Sequence, residues 1–168
     1  MVGNGAFMIL FPDLYYKNVQ SIPIEDLIQN HVKGIAIDVD NTLIDYTKVL
    51  SREVIAWINQ VKERGIQICI LSNSNKTDKV SKVANTLNID YYMFAQKPFK
   101  KGFKKILKKF QLPAENIGVI GDQVFTDVLG ANRMNMISIY VEPINLKEYW
   151  YTKWQRPIEA LILKARNK

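Results

Sequence analysis

The chain has one cysteine and one histidine in 168 residues, and each scarcity excludes a chemistry. Cys69 has no partner for an internal disulfide; a single sulfur inside the apolar run QICIL reads as a small buried hydrophobe in a reducing compartment. His31 stands alone, without suitable neighbours in the chain, so a His/Cys metal site and a nucleophile driven by a His–Asp pair are both disfavoured. Its expected role is structural, at or near the surface. Long apolar runs are missing as well. A membrane-spanning helix needs about 20 apolar residues. FMILFP near the start is far shorter, has no basic residue before it and is cut by Pro12-Asp13, which makes it a poor signal peptide too. A soluble, cytoplasmic protein is the expectation. Acids are scarce relative to bases, 16 against 23, and the formal charge of +7 favours anionic partners: phosphorylated substrates, nucleic acid or an anionic membrane surface.

What is present is a globular balance, 48% hydrophobic and 23% charged, which excludes disorder and collagen-like repeats. The length fits one domain over residues 1–168, with no convincing repeat, low-complexity tract or Gly/Ser linker. Apolar runs alternate with helical patterns. Strands are predicted over residues 34–38 (GIAID), 67–71 (QICIL), 91–94, 117–121 (IGVIG) and 137–141 (ISIYV), and helices over 51–64, 78–87, 100–110 and 126–134. Strands that are continuously apolar are buried on both faces, and helix-length spacers between them imply right-handed crossovers. The fold class is therefore α/β, a doubly wound parallel sheet. Residues 1–31 and 143–168, the latter with Tyr149, Trp150, Tyr151 and Trp154, fall outside this alternation and are expected to pack as extensions on the sheet edge and outer faces.

Ligands of such a fold bind at the C-terminal ends of the strands, and the polar motifs fall there. The first strand ends in Asp38-Val39-Asp40-Asn41-Thr42, the second in Ser72-Asn73-Ser74-Asn75, the third in Lys97-Pro98, and the fourth in Gly121-Asp122-Gln123-Val124-Phe125-Thr126-Asp127. Converging carboxylates repel one another, and a hard divalent cation resolves that; a set with oxygen donors only suits Mg2+. A carboxylate can also form an aspartyl-phosphate, and a second one two residues on can protonate the leaving group and then activate water. A hydroxyl, an amide and a lysine supply donors for phosphoryl oxygens.

Asp38-Val-Asp-Asn-Thr followed by Ser72, Lys97 and Gly-Asp122-xxxx-Asp127, in this order across residues 34–132, resembles the haloacid dehalogenase superfamily of phosphohydrolases. The resemblance implies a Rossmann-like fold with Asp38 as nucleophile and Asp40 as general acid/base. It implies Ser72 and Asn73 at the phosphate, and Lys97 holding nucleophile and phosphate together. Mg2+ would be held by Asp38, Asp122 and the Asp40 main-chain carbonyl. Asp127 would act through water or orient Lys97, and Thr42 would help fix the first loop. An acid at position 40 is similar to the phosphatases and phosphomutases of the superfamily, not to its dehalogenases or ATPase pumps. Asp-Asn-Thr-Leu, Leu-Ser-Asn, Lys-Pro, Gly-Asp-Gln-x-Phe-Thr-Asp, the early Phe11-Pro12-Asp13 and the tail from Thr152 to Glu159 resemble the YqeG-type branch of subfamily IIIA, apart from Gln155, where asparagine is usual. Eukaryotic relatives of that branch are phosphatidylglycerophosphate phosphatases.

Each motif also has an ordinary reading. Asp38 and Asp40 could cap the next helix, Ser72 and Asn73 could be a helix N-cap pair, Asp127 could charge a helix N-terminus, and Lys97 could be one more surface lysine, with Lys101 as its substitute. The spacing adds an exclusion. Only 28 residues separate Leu43 from Ser72 and 24 separate Ser72 from Lys97, too few for an inserted cap, which needs about 50. A capless, open site suits a large or surface-bound substrate, and an oligomeric lid is the competing account. The leading expectation is a Mg2+-dependent phosphomonoesterase acting on phosphatidylglycerophosphate or a similar anionic lipid. Alternatives are a phosphatase of a small soluble phosphate or a nucleic-acid 3′-phosphate, and a non-catalytic basic scaffold that binds nucleic acid or a protein partner; the complete carboxylate pairs disfavour the last. In residues 99–110, FKKGFKKILKKF, Phe99, Phe103, Ile106, Leu107 and Phe110 share one helix side, and the six lysines between Lys100 and Lys109 take the other. That lysine face is a candidate peripheral contact with an anionic membrane.

Overall fold

The computed structural model describes residues 8–145 and 155–166. Its strands are β1 Leu14–Tyr16, β2 Gly34–Ile37, β3 Gln67–Leu71, β4 Asp90–Tyr92, β5 Ile117–Gly121 and β6 Ile137–Val141. All pairings are parallel, and the six form one sheet in the order β1-β6-β5-β2-β3-β4. The helices are α1 Ile24–Gln29, α2 Arg52–Glu63, α3 Thr77–Leu87, α4 Lys100–Phe110, α5 Leu129–Asn132 and α6 Gln155–Arg166. A π-helical turn, Val124–Val128, leads into α5.

β2 and β5 are buried at every position because they lie mid-sheet with helices on both faces. Successive side chains of a strand feed opposite layers. Ile35, Ile37, Ile68, Ile70 and Ile120 join one core with Val54, Trp57 and Ile58 of α2 and Val80, Val83 and Leu87 of α3. Ala36, Cys69, Leu71 and Val119 join the other with Phe103, Ile106 and Phe110 of α4 and Ala131 of α5. The second layer has small residues on the central strands, which leaves room for the bulky face of α4. Cys69 is fully buried, and burial pushes its thiol up to about 12, in keeping with a packing role. Local signals set the helix ends: the Ser51 hydroxyl accepts from the Val54 amide at 3.2 Å, and α3 stops at Asn88, whose φ of 48° lies in the left-handed region.

Three expectations are corrected. The sheet has six strands, not five. β1 comes from the N-terminal flank and pairs with β6, where the Asp13 carboxylate accepts from the Ser138 amide at 2.8 Å and hydroxyl at 2.9 Å; three residues are too few to carry a period. The helix expected over 126–134 is the π-helical turn followed by one turn of α-helix. The third strand ends at Tyr92, and Phe94 lies beyond it with φ of 50°. Tyr149, Trp150, Tyr151 and Trp154 lie outside the described residues.

The chain runs from β2 outward through β3 and β4, then returns across β2 to β5 and β6. The two directions part between β2 and β5, and a crevice opens there beyond their C-terminal ends. The 38–51 connection after β2 holds no inserted domain, so nothing caps that crevice from there. Among the described residues no helix is long and apolar enough to cross a membrane.

Candidate active site

Asp38 and Asp122 are the first residues beyond β2 and β5, the two strands that flank the crevice. The Asp38 amide donates to the Ile120 carbonyl at 2.9 Å, which continues the ladder one step and holds the residue against β5. Asp127 comes from the π-helical turn, a local widening of a kind that often re-aims a functional side chain. Oxygen atoms of Asp38, Asp122 and Asp127 all lie within 4.8 Å of one another. Lys97, carried by the loop after β4, donates from Nζ to Asp38 Oδ1 and to Asp127 Oδ1, both at 2.7 Å. All four side chains are buried.

Burial and mutual repulsion govern the charges. Loss of solvent pushes the Asp38 carboxyl up to about 6; Lys97 pulls against that, while Asp127 and Asp40 add to it. Burial likewise drives Asp122 well above the usual carboxylate range, opposed by Arg156 and reinforced by Asp38 and Asp127. Burial works against the charge on Lys97, yet the Asp127 and Asp38 carboxylates outweigh it and hold the ammonium above the ordinary lysine range. Three buried carboxylates against two cations leave an excess of negative charge around hard oxygen atoms. That donor set fits a small divalent cation such as Mg2+.

The surrounding groups have identifiable tasks. Thr42 Oγ1 donates to Asp122 Oδ1 at 3.2 Å, tying the first loop to the fourth. Asn73 grips the main chain of Lys97: its Oδ1 accepts from the Lys97 amide at 2.7 Å and its Nδ2 donates to the Lys97 carbonyl at 3.0 Å. The residue expected at the phosphate thus also holds the main chain of the lysine. Ser72 is buried beneath, with its hydroxyl accepting from the Ser74 amide at 3.1 Å. Asp40 stands partly exposed outside the three-carboxylate cluster and is paired with Lys79 of α3. Lys101 is exposed and has no place in the cluster. Gly121 lets the site close up, because a Cβ there would stand 2.2 Å from the Asp127 carboxyl carbon. His31 lies at the other end of β2, away from these groups.

Two site residues were missed by sequence reasoning as to their task. Arg156 of α6 donates from Nη2 to Asp122 Oδ2 and from Nη1 to the Asp122 carbonyl, each at 2.5 Å. Glu159, one turn on, accepts from Arg156 at 2.9 Å and from the Val124 amide at 2.8 Å, so it caps the π-helical turn that carries Asp127. The available signal was the Arg156-Pro-Ile-Glu159 segment of the tail, which resembled the family but had no local pattern to say what it touched. Lys79 was missed as well, being one lysine among many.

Two strand-end aspartates at the switch point, a bridging lysine and a serine on the intervening loop, on a parallel doubly wound sheet, make up the site of a phosphatase. The family profile described as mitochondrial PGP phosphatase matches residues 6–145, and the chain belongs to that family. It is 37% identical to the probable phosphatase YqeG of Bacillus subtilis, across 94% of this chain and 91% of that protein. It is 25% identical to the chloroplastic phosphatidylglycerophosphate phosphatase 1 of Chlamydomonas reinhardtii, across 90% of this chain and 68% of that protein. The fold is shared with the 3-deoxy-D-manno-octulosonate 8-phosphate phosphatase of Moraxella catarrhalis, solved with magnesium, phosphate and the sugar. The TM-score is 0.51 at 17% identity, covering 86% of this chain and 94% of that one.

Proposed function

We propose that this phosphatase is a Mg2+-dependent phosphomonoesterase that works through an aspartyl-phosphate on Asp38, with phosphatidylglycerophosphate or a similar anionic phospholipid as substrate. The observation that carries the reading is the buried Asp38 carboxylate, held by Lys97 at 2.7 Å within 4.8 Å of Asp122 and Asp127. Asp38 and Asp122, with the main-chain carbonyl of Asp40, would hold the metal. When bound, Mg2+ supplies positive charge that offsets the carboxylates and the phosphoryl oxygens.

Lys97 keeps Asp38 ionised and aimed, and its ammonium is the nearest donor for a phosphoryl oxygen that approaches Asp38. An Asp38 oxygen attacks phosphorus in line as the bond to the leaving oxygen breaks. Asp40, at the mouth, gives its proton to that oxygen and the alcohol departs. Asp40 then takes a proton from water as the water oxygen attacks the aspartyl-phosphate, which returns the Asp38 carboxylate and releases phosphate. The Ser72 hydroxyl lines the phosphoryl side, while Thr42, Asn73 and Asp127 fix Asp122 and Lys97. The family match, the uncapped crevice and the +7 charge support a lipid phosphate over a small enclosed substrate.

Hydrolysis of an aryl phosphate, followed with and without a chelator, tests the chemistry; activity that survives complete metal removal would overturn it. A panel of phosphate esters including phosphatidylglycerophosphate in micelles tests the substrate. The expected result is the highest kcat/KM on the phospholipid, and a soluble ester turned over more efficiently would displace it.

A further inference from the structure

The edge of the sheet that carries the site differs from the opposite edge in what its loops expose. Beyond the strand C-termini, the connection after β2 exposes Tyr46 and Val49, the connection after β4 exposes Phe94 and Phe99, and the one after β6 exposes Ile144. These side chains are between 47% and 68% exposed. The turns at the opposite edge, residues 30–33, 64–66, 88–89, 111–116 and 133–136, expose no large apolar side chain. The rim is continuous, because the Ile144 amide donates to the Asn41 carbonyl at 3.0 Å and Asn73 clamps the loop that bears Phe94 and Phe99. Lys48, Lys100 and Lys101 are exposed among these tips. Of the acids at this edge, Asp45 accepts from Thr47, Glu142 accepts from Tyr15, and Asp78 is exposed in the first turn of α3.

The lysine helix has the two sides that its sequence suggests, with the apolar one in the core. α4 leaves the site edge at Lys100 and runs antiparallel to the strands to the other edge, where the Phe110 carbonyl accepts from Gln67 at 3.3 Å. Its apolar face is in the core through Phe103, Ile106 and Phe110, so it cannot lie flat in a membrane interface. Lys109 pairs with Asp90 at the start of β4, and the Lys105 ammonium sits 5.5 Å from the centre of the Tyr92 ring. Only its first turn belongs to the mouth.

We propose that this rim is a docking surface for an anionic lipid bilayer. Tyr46, Val49, Phe94, Phe99 and Ile144 enter the headgroup zone and Lys48, Lys100 and Lys101 meet the lipid phosphates, which sets the mouth of the Asp38 site against the membrane. Aromatic and aliphatic tips interleaved with lysines suit that zone, where an apolar body is buried and a cation stays hydrated. The charge selects the occupant: two lysine-bearing rims of identical copies repel, whereas an anionic bilayer attracts both. The proposal rests on the reading of a phospholipid substrate and names the surface through which that substrate is reached.

The test is co-sedimentation with vesicles of phosphatidylcholine alone or mixed with phosphatidylglycerol. Wild-type protein should bind only the mixed vesicles, and less as salt rises. The pairs Tyr46→Ser/Val49→Ser and Phe94→Ser/Phe99→Ser should each lower the affinity by roughly tenfold or more, while hydrolysing a soluble aryl phosphate as wild type does. Ile28→Ser/Leu161→Ser, which removes exposed apolar side chains elsewhere, should bind like wild type. Because Cys69 is buried, a polarity-sensitive dye on Phe94→Cys should report the membrane by a blue shift that the same dye on Leu161→Cys does not show. Absent binding to anionic vesicles, or rim pairs that bind like wild type, would overturn the proposal. So would a concentration-dependent dimer that the rim substitutions abolish, since the rim would then join two copies. Vesicle binding without turnover of phosphatidylglycerophosphate would remove the substrate reading alone. Equal turnover of micellar substrate by wild type and rim variants without vesicle binding would remove the docking surface alone.

Discussion

Asp38 is charged where charge is costly, and that defines two measurable consequences. On the proposed mechanism, replacing it with Asn keeps the shape and removes the attacking oxygen anion, so aryl phosphatase activity should fall more than about a thousandfold. Its folded-state pKa of about 6 lies above the ordinary 3.8, so the ionised form is the disfavoured one in the folded protein. The penalty is full above about pH 6 and is relieved as pH falls from there toward 3.8. Metal-free Asp38→Asn should therefore melt above wild type at pH 8, with the gap closing toward pH 5; a gap independent of pH would contradict the electrostatic origin. Gly121 illustrates a different constraint. Its backbone is ordinary strand, but a Cβ would collide with Asp127 at 2.2 Å. Gly121→Ala should keep the fold and lose roughly ten- to a hundredfold in kcat as Asp127 and Lys97 shift, which steady-state kinetics would show.

At the scale of elements, α6 completes a site whose named motifs end at Asp127. Local sequence leaves the π-helical turn without a side-chain cap, and Glu159 supplies it from 35 residues downstream of Val124. Arg156 gives the buried Asp122 a counter-charge. Arg156→Gln should lower the metal-free Tm, since an unpaired buried carboxylate is left behind. Added Mg2+ should then restore a larger part of the loss than the shift it gives wild type, because the metal replaces the missing cation at Asp122. Equal Mg2+ shifts in the two proteins, read by thermal melting, would place α6 outside the metal's influence.

At the scale of the molecule, the proposed function asks for one kind of ion and one protonation state. On the proposed mechanism Mg2+ displaces protons from the Asp38 and Asp122 carboxyls, so its apparent Kd should weaken as pH falls, with the Asp38 proton competing below about pH 6, by up to about tenfold per unit for each proton displaced. Ca2+ should bind and support little turnover, because its larger, looser shell moves the nucleophile off line; equal rates with the two cations would count against the design. Much of this was legible in the chain. The runs GIAID, QICIL, IGVIG and ISIYV marked buried strands, and the ends of the first three, with the short strand before Lys97, named Asp38, Ser72, Lys97, Asp122 and Asp127 as candidates. Burial on both faces and abrupt polar ends are local properties, so a single sequence displays them. The bridging of Asp38 and Asp127 by Lys97, the Asn73 clamp, the pairing of Asp40 with Lys79 and the arrival of Arg156 at Asp122 join residues 24 to 59 positions apart. β1 reaches further still, to partners 125 positions away, and its three residues find a strand only because β6 offers them an edge. By itself the sequence determined which chemical groups stand at strand ends, because periodicity and turn residues act over a few positions. Only the tertiary structure decided which of those groups face one another, what balances their charge and that α4 keeps only its first lysines at the mouth, because strand order and burial depend on the whole chain.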